Sequence, residues 1–125
     1  METYWIQGRQ TKTTDGCFVI SVEKFKFQTI GRDCDEGERP DHPIPVANMW
    51  SRNLFRVFVN SGVITFQLKS PNDYKLFVGD DLQEHPEEVT ISMEVFAERG
   101  VCIELSERYN LHDECVLWFF PVKLC

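Results

Sequence analysis

A chain of 125 residues, 42% of them hydrophobic and with ten Phe and three Trp, holds material for one buried core and is too short for two ordinary domains. A domain of this size buries roughly two-thirds of its unfolded surface without a metal or a disulfide, and apolar runs recurring from Tyr4 to Leu124 exclude an intrinsically disordered chain. The formal net charge is −7: Met1 to Val78 carries ten basic and nine acidic side chains, a net +1, whereas Gly79 to Cys125 carries three basic and eleven acidic, a net −8. A field of that sign repels nucleic acid and anionic membrane and steers cationic partners.

The dominant period along the chain is two. A short strand is expected at Tyr4–Gln7, and Asp15-Gly16 separates it from the long stretch Cys17–Ile30. In that stretch Phe18, Ile20 and Val22 are even-numbered, whereas Phe25 and Phe27 are odd. The face therefore changes near Glu23-Lys24, and a bulge or sharp bend there would keep both sets in the core. Leu54 to Val59, the turn Asn60-Ser61-Gly62 and Val63 to Leu68 read as a hairpin. Ser70-Pro71-Asn72-Asp73 fits an N-cap opening a turn or two of helix through Phe77, although Tyr74 to Val78 also fits a strand.

Further on, Val89, Ile91, Met93 and Val95 alternate with Thr90, Ser92, Glu94 and Phe96. After Glu98-Arg99-Gly100, Val101, Ile103 and Leu105 alternate with Cys102, Glu104 and Ser106. That pattern predicts a second hairpin closed at Gly100. Glu107 to His112 fits a short helical turn. The last strand, Cys115 to Val122, is apolar on both faces and so expected to be central, ending at Pro121. The expected fold is one domain over residues 1–125, mainly β. It would be an antiparallel sandwich or partly closed barrel of about six to eight strands with at most one or two short helices.

Two connections are unusually polar. Gly31 to Pro45 contains Asp33, Cys34, Asp35, Glu36, Glu38, Asp41 and His42; Gly79 to Glu88 contains Asp80, Asp81, Glu84, Glu87 and Glu88 without a basic residue. Long loops are where sites concentrate. Cys34 and His42 with His112 and Cys115 would make a Cys₂His₂ set for zinc, but only His112-x₂-Cys115 has the tight spacing that structural zinc sites use. Asp33 to Asp41 lacks the residue order of an EF-hand. A Cys34–His42 nucleophile would sit among carboxylates that hold the thiol protonated. No Gly-x-Ser-x-Gly elbow, Walker loop or Gly-x-Gly-x-x-Gly run occurs. Neither an enzyme nor a bound cofactor is expected.

The five cysteines, Cys17, Cys34, Cys102, Cys115 and Cys125, are an odd number that argues against a secreted disulfide framework. Met1-Glu2-Thr3-Tyr4-Trp5 lacks the basic and apolar regions of a signal peptide, and the longest apolar stretch, Val116 to Val122, falls far short of the roughly 20 residues of a membrane span. The expected location is cytoplasmic, with free thiols and no membrane contact.

Partner binding fits these residues best. Carboxylates accelerate encounter with a basic protein and aromatic anchors hold the complex. The expected surface is Asp80, Asp81, Glu84, Glu87 and Glu88, joined by Asp33, Asp35, Glu36 and Glu38, with Trp50 as anchor. In general character, though over no alignable stretch, a small, acidic, β-rich chain with free thiols is similar to bacterial immunity proteins and to phage-encoded inhibitors. That similarity implies a protein that neutralises a basic toxin or nuclease. The alternatives are a β-barrel carrier of a small molecule or lipid and a metal-dependent enzyme built on the Cys/His/carboxylate loops. A homodimer through an exposed edge is a further expectation, should Tyr4–Gln7 or the Leu54–Leu68 hairpin end a sheet.

Overall fold

The computed structural model describes residues 3–10, 17–33, 37, 39–46, 50–105 and 116–122. Among them are eleven strands and one short helix: β1 (Thr3–Gln10), β2 (Phe18–Glu23), β3 (Gln28–Arg32), β4 (His42–Ile44), β5 (Phe55–Asn60), β6 (Val63–Leu68), β7 (Tyr74–Val78), β8 (Asp81–Leu82), β9 (Val89–Ser92), α1 (Met93–Arg99), β10 (Val101–Leu105) and β11 (Val116–Pro121). They form two sheets, ordered β2-β1-β11-β10-β7-β8 and β4-β3-β5-β6-β9, and neither closes into a barrel. The expected β sandwich is the fold. The strand number exceeds the expectation because β4, β8 and β9, three of the four sheet edges, are only three, two and four residues long. Short edges limit unwanted strand pairing.

The core forms where the inner faces meet. Phe119 of β11 lies edge-on to Phe55 of β5 at 5.1 Å, Phe55 packs on Phe66 at 5.6 Å, and Phe66 packs on Phe96 of α1 at 5.7 Å. All four are fully buried, so this train of rings fills the space between the layers from β11 to the helix. β11 is central, between β1 and β10, as its apolar composition on both faces requires.

The expected β5–β6 hairpin is present; its turn is Ser61-Gly62, one residue shorter than expected, because Asn60 ends β5 opposite Val63. Ser70 to Asp73 makes a single turn, closed by the Asp73 N–H donating to the Ser70 carbonyl at 3.0 Å. The chain then enters β7 directly, so 74–78 is strand and the helical alternative falls.

The expected hairpin of Val89–Phe96 with Val101–Leu105 is absent. The strand stops at Ser92, whose hydroxyl accepts the Val95 N–H at 3.1 Å and caps α1. Gly100, at φ 72°, ends the helix, and a Cβ there would meet the Phe120 ring at 2.4 Å. The helix thereby carries the chain from the second sheet, where β9 pairs with β6, to the first, where β10 pairs with β7 and β11. The parity change near Glu23-Lys24 is likewise a change of sheet. Residues 24–27 cross between β2 and β3, but Phe25 and Phe27 stay outside the core, 58% and 41% exposed. Neither Tyr4–Gln7 nor the β5–β6 hairpin ends a sheet; β2, β8, β4 and β9 do. Within Gly31–Pro45, His42–Ile44 forms β4, parallel to β3. The expected turn at Glu107–His112 and Asp15-Gly16 lie outside the described residues.

Candidate partner-binding surface

The order of the strands places two edges side by side. β8 ends the first sheet, β9 ends the second, and residues 83–88 connect them. Between the two edges runs a groove of about 470 Å³, with Leu82, Val89 and Ile91 as its apolar lining and Glu84, His85 and Glu88 as its polar lining. Leu82 is 55% exposed, an apolar side chain presented beside carboxylates. β8 also carries Asp81, and Asp80 directly precedes it.

The carboxylates of this strip differ in how they are held. Asp81 receives the Arg99 guanidinium of α1 at 2.6 Å. Glu88 accepts from the Gln67 amide at 2.8 Å, and the Gln67 oxygen accepts in turn from Arg56 Nε at 3.1 Å. Glu87 lies 3.4 Å from His85 Nδ1. All are solvent-screened contacts, so they fix side-chain direction more than they add stability. No hydrogen bond or ion pair holds the Glu84 carboxylate among the described residues, which leaves it available to a cation at the groove.

Other residues named from the sequence lie elsewhere. Asp33 follows β3, on the side of the second sheet opposite β9, and pairs with Arg39 at 2.7 Å. It does not join the groove. Asp35, Glu36 and Glu38 lie outside the described residues, as do Cys34, His112 and Cys115 of the expected metal set. Trp50 is only 1% exposed and stacks on Tyr74 with ring centroids 5.6 Å apart, while its carbonyl accepts from Arg32 Nε at 2.8 Å. Burial removes it as an anchor, the ordinary fate of a single Trp. Among the described residues no group of three or more His, Cys, Asp or Glu could hold a metal ion, and no helix is long and apolar enough to cross a membrane. Cys102 is buried and its thiol is pushed up to about 12, by burial first and then by Glu104 and Asp80, which favours the protonated thiol.

His42 has a structural partner. Its Nε2 lies 2.8 Å from Gln28 Oε1, and the Gln28 amide nitrogen donates to the Glu23 and Lys26 carbonyls at 2.9 and 3.3 Å. The Gln28 oxygen must therefore accept, and Nε2 carries the hydrogen. Burial lowers the His42 pKa, with Asp41 and Glu23 acting in the opposite direction. A folded pKa below the unfolded one means that the unfolded chain takes up the proton first. This contribution to stability is complete above the unfolded value of about 6.5 and is lost as pH falls from there through the lower folded value. The urea midpoint is expected to drop between pH 7.5 and 5.5, and to drop less in His42→Gln; equal drops would show that His42 is not the group responsible.

What the sequence did not disclose is the set of exposed apolar side chains: Trp5, Val19 and Leu82 on the first sheet, and Phe25 and Phe27 on the crossing turn. The available signal was the position of Phe25 between Lys24 and Lys26 and of Phe27 directly after Lys26, both out of phase with the buried residues before them. Comparison with known protein families, with curated proteins and with solved structures finds no match for the chain.

Proposed function

We propose that this domain is a binding protein that captures a basic partner protein in the β8–β9 groove and occludes it. The observation that carries this reading is the combination of an exposed Leu82 and the carboxylates Glu84 and Glu88 on one groove between two sheet edges. Carboxylates there steer a cationic surface toward the groove, and the apolar lining gives the docked segment something to bury. Basic active sites such as those of nucleases fit this description, because an acidic rim occupies them in place of phosphate. The similarity in character to immunity proteins supports the same class of partner, a toxin or nuclease neutralised inside the cell that makes it. The unclosed sheets weigh against the barrel-type carrier alternative.

The test compares wild type with Glu84→Lys/Glu87→Lys/Glu88→Lys as bait in host lysate, followed by kinetics on the captured protein. One basic protein should bind wild type stoichiometrically. Its association with the reversed variant should slow on the order of 10²-fold at low ionic strength, with a smaller difference at high salt. Equal association rates for the two baits would remove the groove from the mechanism.

A further inference from the structure

We infer that the turn between β2 and β3 is a docking knob for the β8–β9 groove of a second copy of the chain, joining molecules head to tail; this rests on reading that groove as a site for basic ligands. Phe25 stands at φ 67°, in the left-handed region that side chains rarely adopt, and its ring is 58% exposed. A bulky residue held in such a backbone without burying its ring in return marks a position kept for something other than stability.

The turn is also built to hold that shape. The Phe25 N–H donates to the Val59 carbonyl at 2.8 Å. Beneath the turn the Gln28 side chain, 5% exposed, donates to the carbonyls of Glu23 and Lys26 and accepts the Glu23 N–H at 3.3 Å. Phe27 leans on Phe58 with centroids 4.8 Å apart, and the Arg56 guanidinium lies over its face at 4.8 Å. Lys24 and Lys26 flank Phe25 in the chain, and Lys26 lies 3.8 Å from the Glu23 carboxylate in an exposed, solvent-screened contact that a stronger partner can replace. The result is a preorganised protrusion, an aromatic tip between two lysines, and preorganisation lowers the entropic cost of docking.

The groove is its complement: the exposed Leu82 and the partly buried Ile91 offer apolar contact over a floor that includes the buried Val89, and Glu84 and Glu88 offer the opposite charge. The two surfaces cannot meet within one molecule. β2 and β3 lie at one side of the sandwich, β2 as the edge of the first sheet and β3 one strand from the edge of the second; β8 and β9 are the edges on the other side. The knob and the groove thus lie toward opposite ends of the strand order in each sheet. A contact between different patches on opposite sides does not close on itself as a two-fold dimer does, and it propagates into chains or rings. Self-assembly of this kind would also cover the groove until a competing basic partner arrived.

Sedimentation velocity at about 0.15 M salt is the measurement, because there the mutual repulsion of two acidic molecules is screened beyond about 8 Å and local contacts decide. Wild type should pass from monomer to dimer and larger species as its concentration rises from about 1 μM to about 1 mM. Phe25→Gly relieves the backbone strain, so loss of folding cannot explain its effect, and it should raise the apparent dissociation constant at least tenfold. Lys24→Glu/Phe25→Gly/Lys26→Glu keeps a groove without a knob, and Glu84→Lys/Glu88→Lys keeps a knob without a groove. Each should be monomeric alone, and an equimolar mixture should form dimers that grow no further. A wild type monomeric throughout the range, or a mixture that stays monomeric, overturns the inference. Should the knob variants still bind the basic partner like wild type, the groove reading survives that failure; should the groove variant also bind that partner unchanged, the groove reading fails by itself.

Discussion

Replacing Phe119 by alanine is expected to lower the free energy of unfolding by about 3–5 kcal/mol. Phe119 is fully buried on the central strand β11, edge-on to Phe55 and also 6.1 Å from Phe18 across the first sheet. Its register partner on β1 is Gly8, which brings no side chain to fill a vacancy. The partly buried Phe18 could lean inward, but Phe55 is committed on its other face to Phe66. Removing the ring therefore leaves a cavity lined by aromatic edges, and cavities that neighbours cannot close carry the upper part of the usual cost. Against a total stability of about 5–15 kcal/mol, that loss would place the thermal midpoint roughly ten or more degrees lower. Phe119→Leu, which refills part of the volume, should lose less than half as much in the same urea titration. Similar losses for the two variants would mean that the ring's edge contacts, and not its volume, hold the layers together.

How much of this was legible in the chain depended on which physical signal each element carried. The β5–β6 hairpin was plain because alternation and Ser61-Gly62 agree, and β11 was plain because only a central strand is apolar on both faces. Residues 89–99 misled because the alternation of Val89, Ile91, Met93 and Val95 has the strand period, while the helix start at Ser92 has Val95, not Glu or Gln, three residues on and so no capping box. The parity change at Glu23-Lys24 announced a bend but not its destination, since alternation records faces and not which sheet a strand joins. β4 was hidden because His42-Pro43-Ile44 is short and carries a proline, which an edge tolerates. The groove suffers from the same blindness. Charge alone named Glu84 and Glu88, but their meeting with Leu82 and Ile91 depends on β8 and β9 ending different sheets at the same side, a fact of topology that no local pattern encodes.

The second large effect is expected at Gly31, where adding a single methyl group should cost at least about 3 kcal/mol, above the usual range for overpacking. A Cβ at this position would sit 1.9 Å from the Arg52 carbonyl oxygen, 2.3 Å from its carbon and 2.9 Å from the Asn53 nitrogen, all backbone atoms that no rotamer change can move. Residues 51–54 cannot withdraw either. The Arg32 N–H donates to the Ser51 carbonyl at 2.9 Å and the Leu54 N–H to the Ile30 carbonyl at 3.0 Å, which pins residues 51–54 along β3. Behind them Trp50 is stacked on Tyr74, the Ser51 N–H donates to the Tyr74 hydroxyl at 3.0 Å, and Leu54 is buried. Gly31→Ala must therefore break β3 pairing or pull Trp50 from its stack, and either route gives up hydrogen bonds or core contacts together. Gly62→Ala is the control: with nothing within 4 Å of its Cβ, it carries only the strain of φ +78°, about 1–2 kcal/mol. Since β3 lies on the side of the sandwich away from β9, the folded fraction of Gly31→Ala should still present the groove. Urea unfolding decides the matter: a loss in Gly31→Ala no greater than that in Gly62→Ala would mean that residues 51–53 do not lie against β3, and that the burial of Trp50 has some other support.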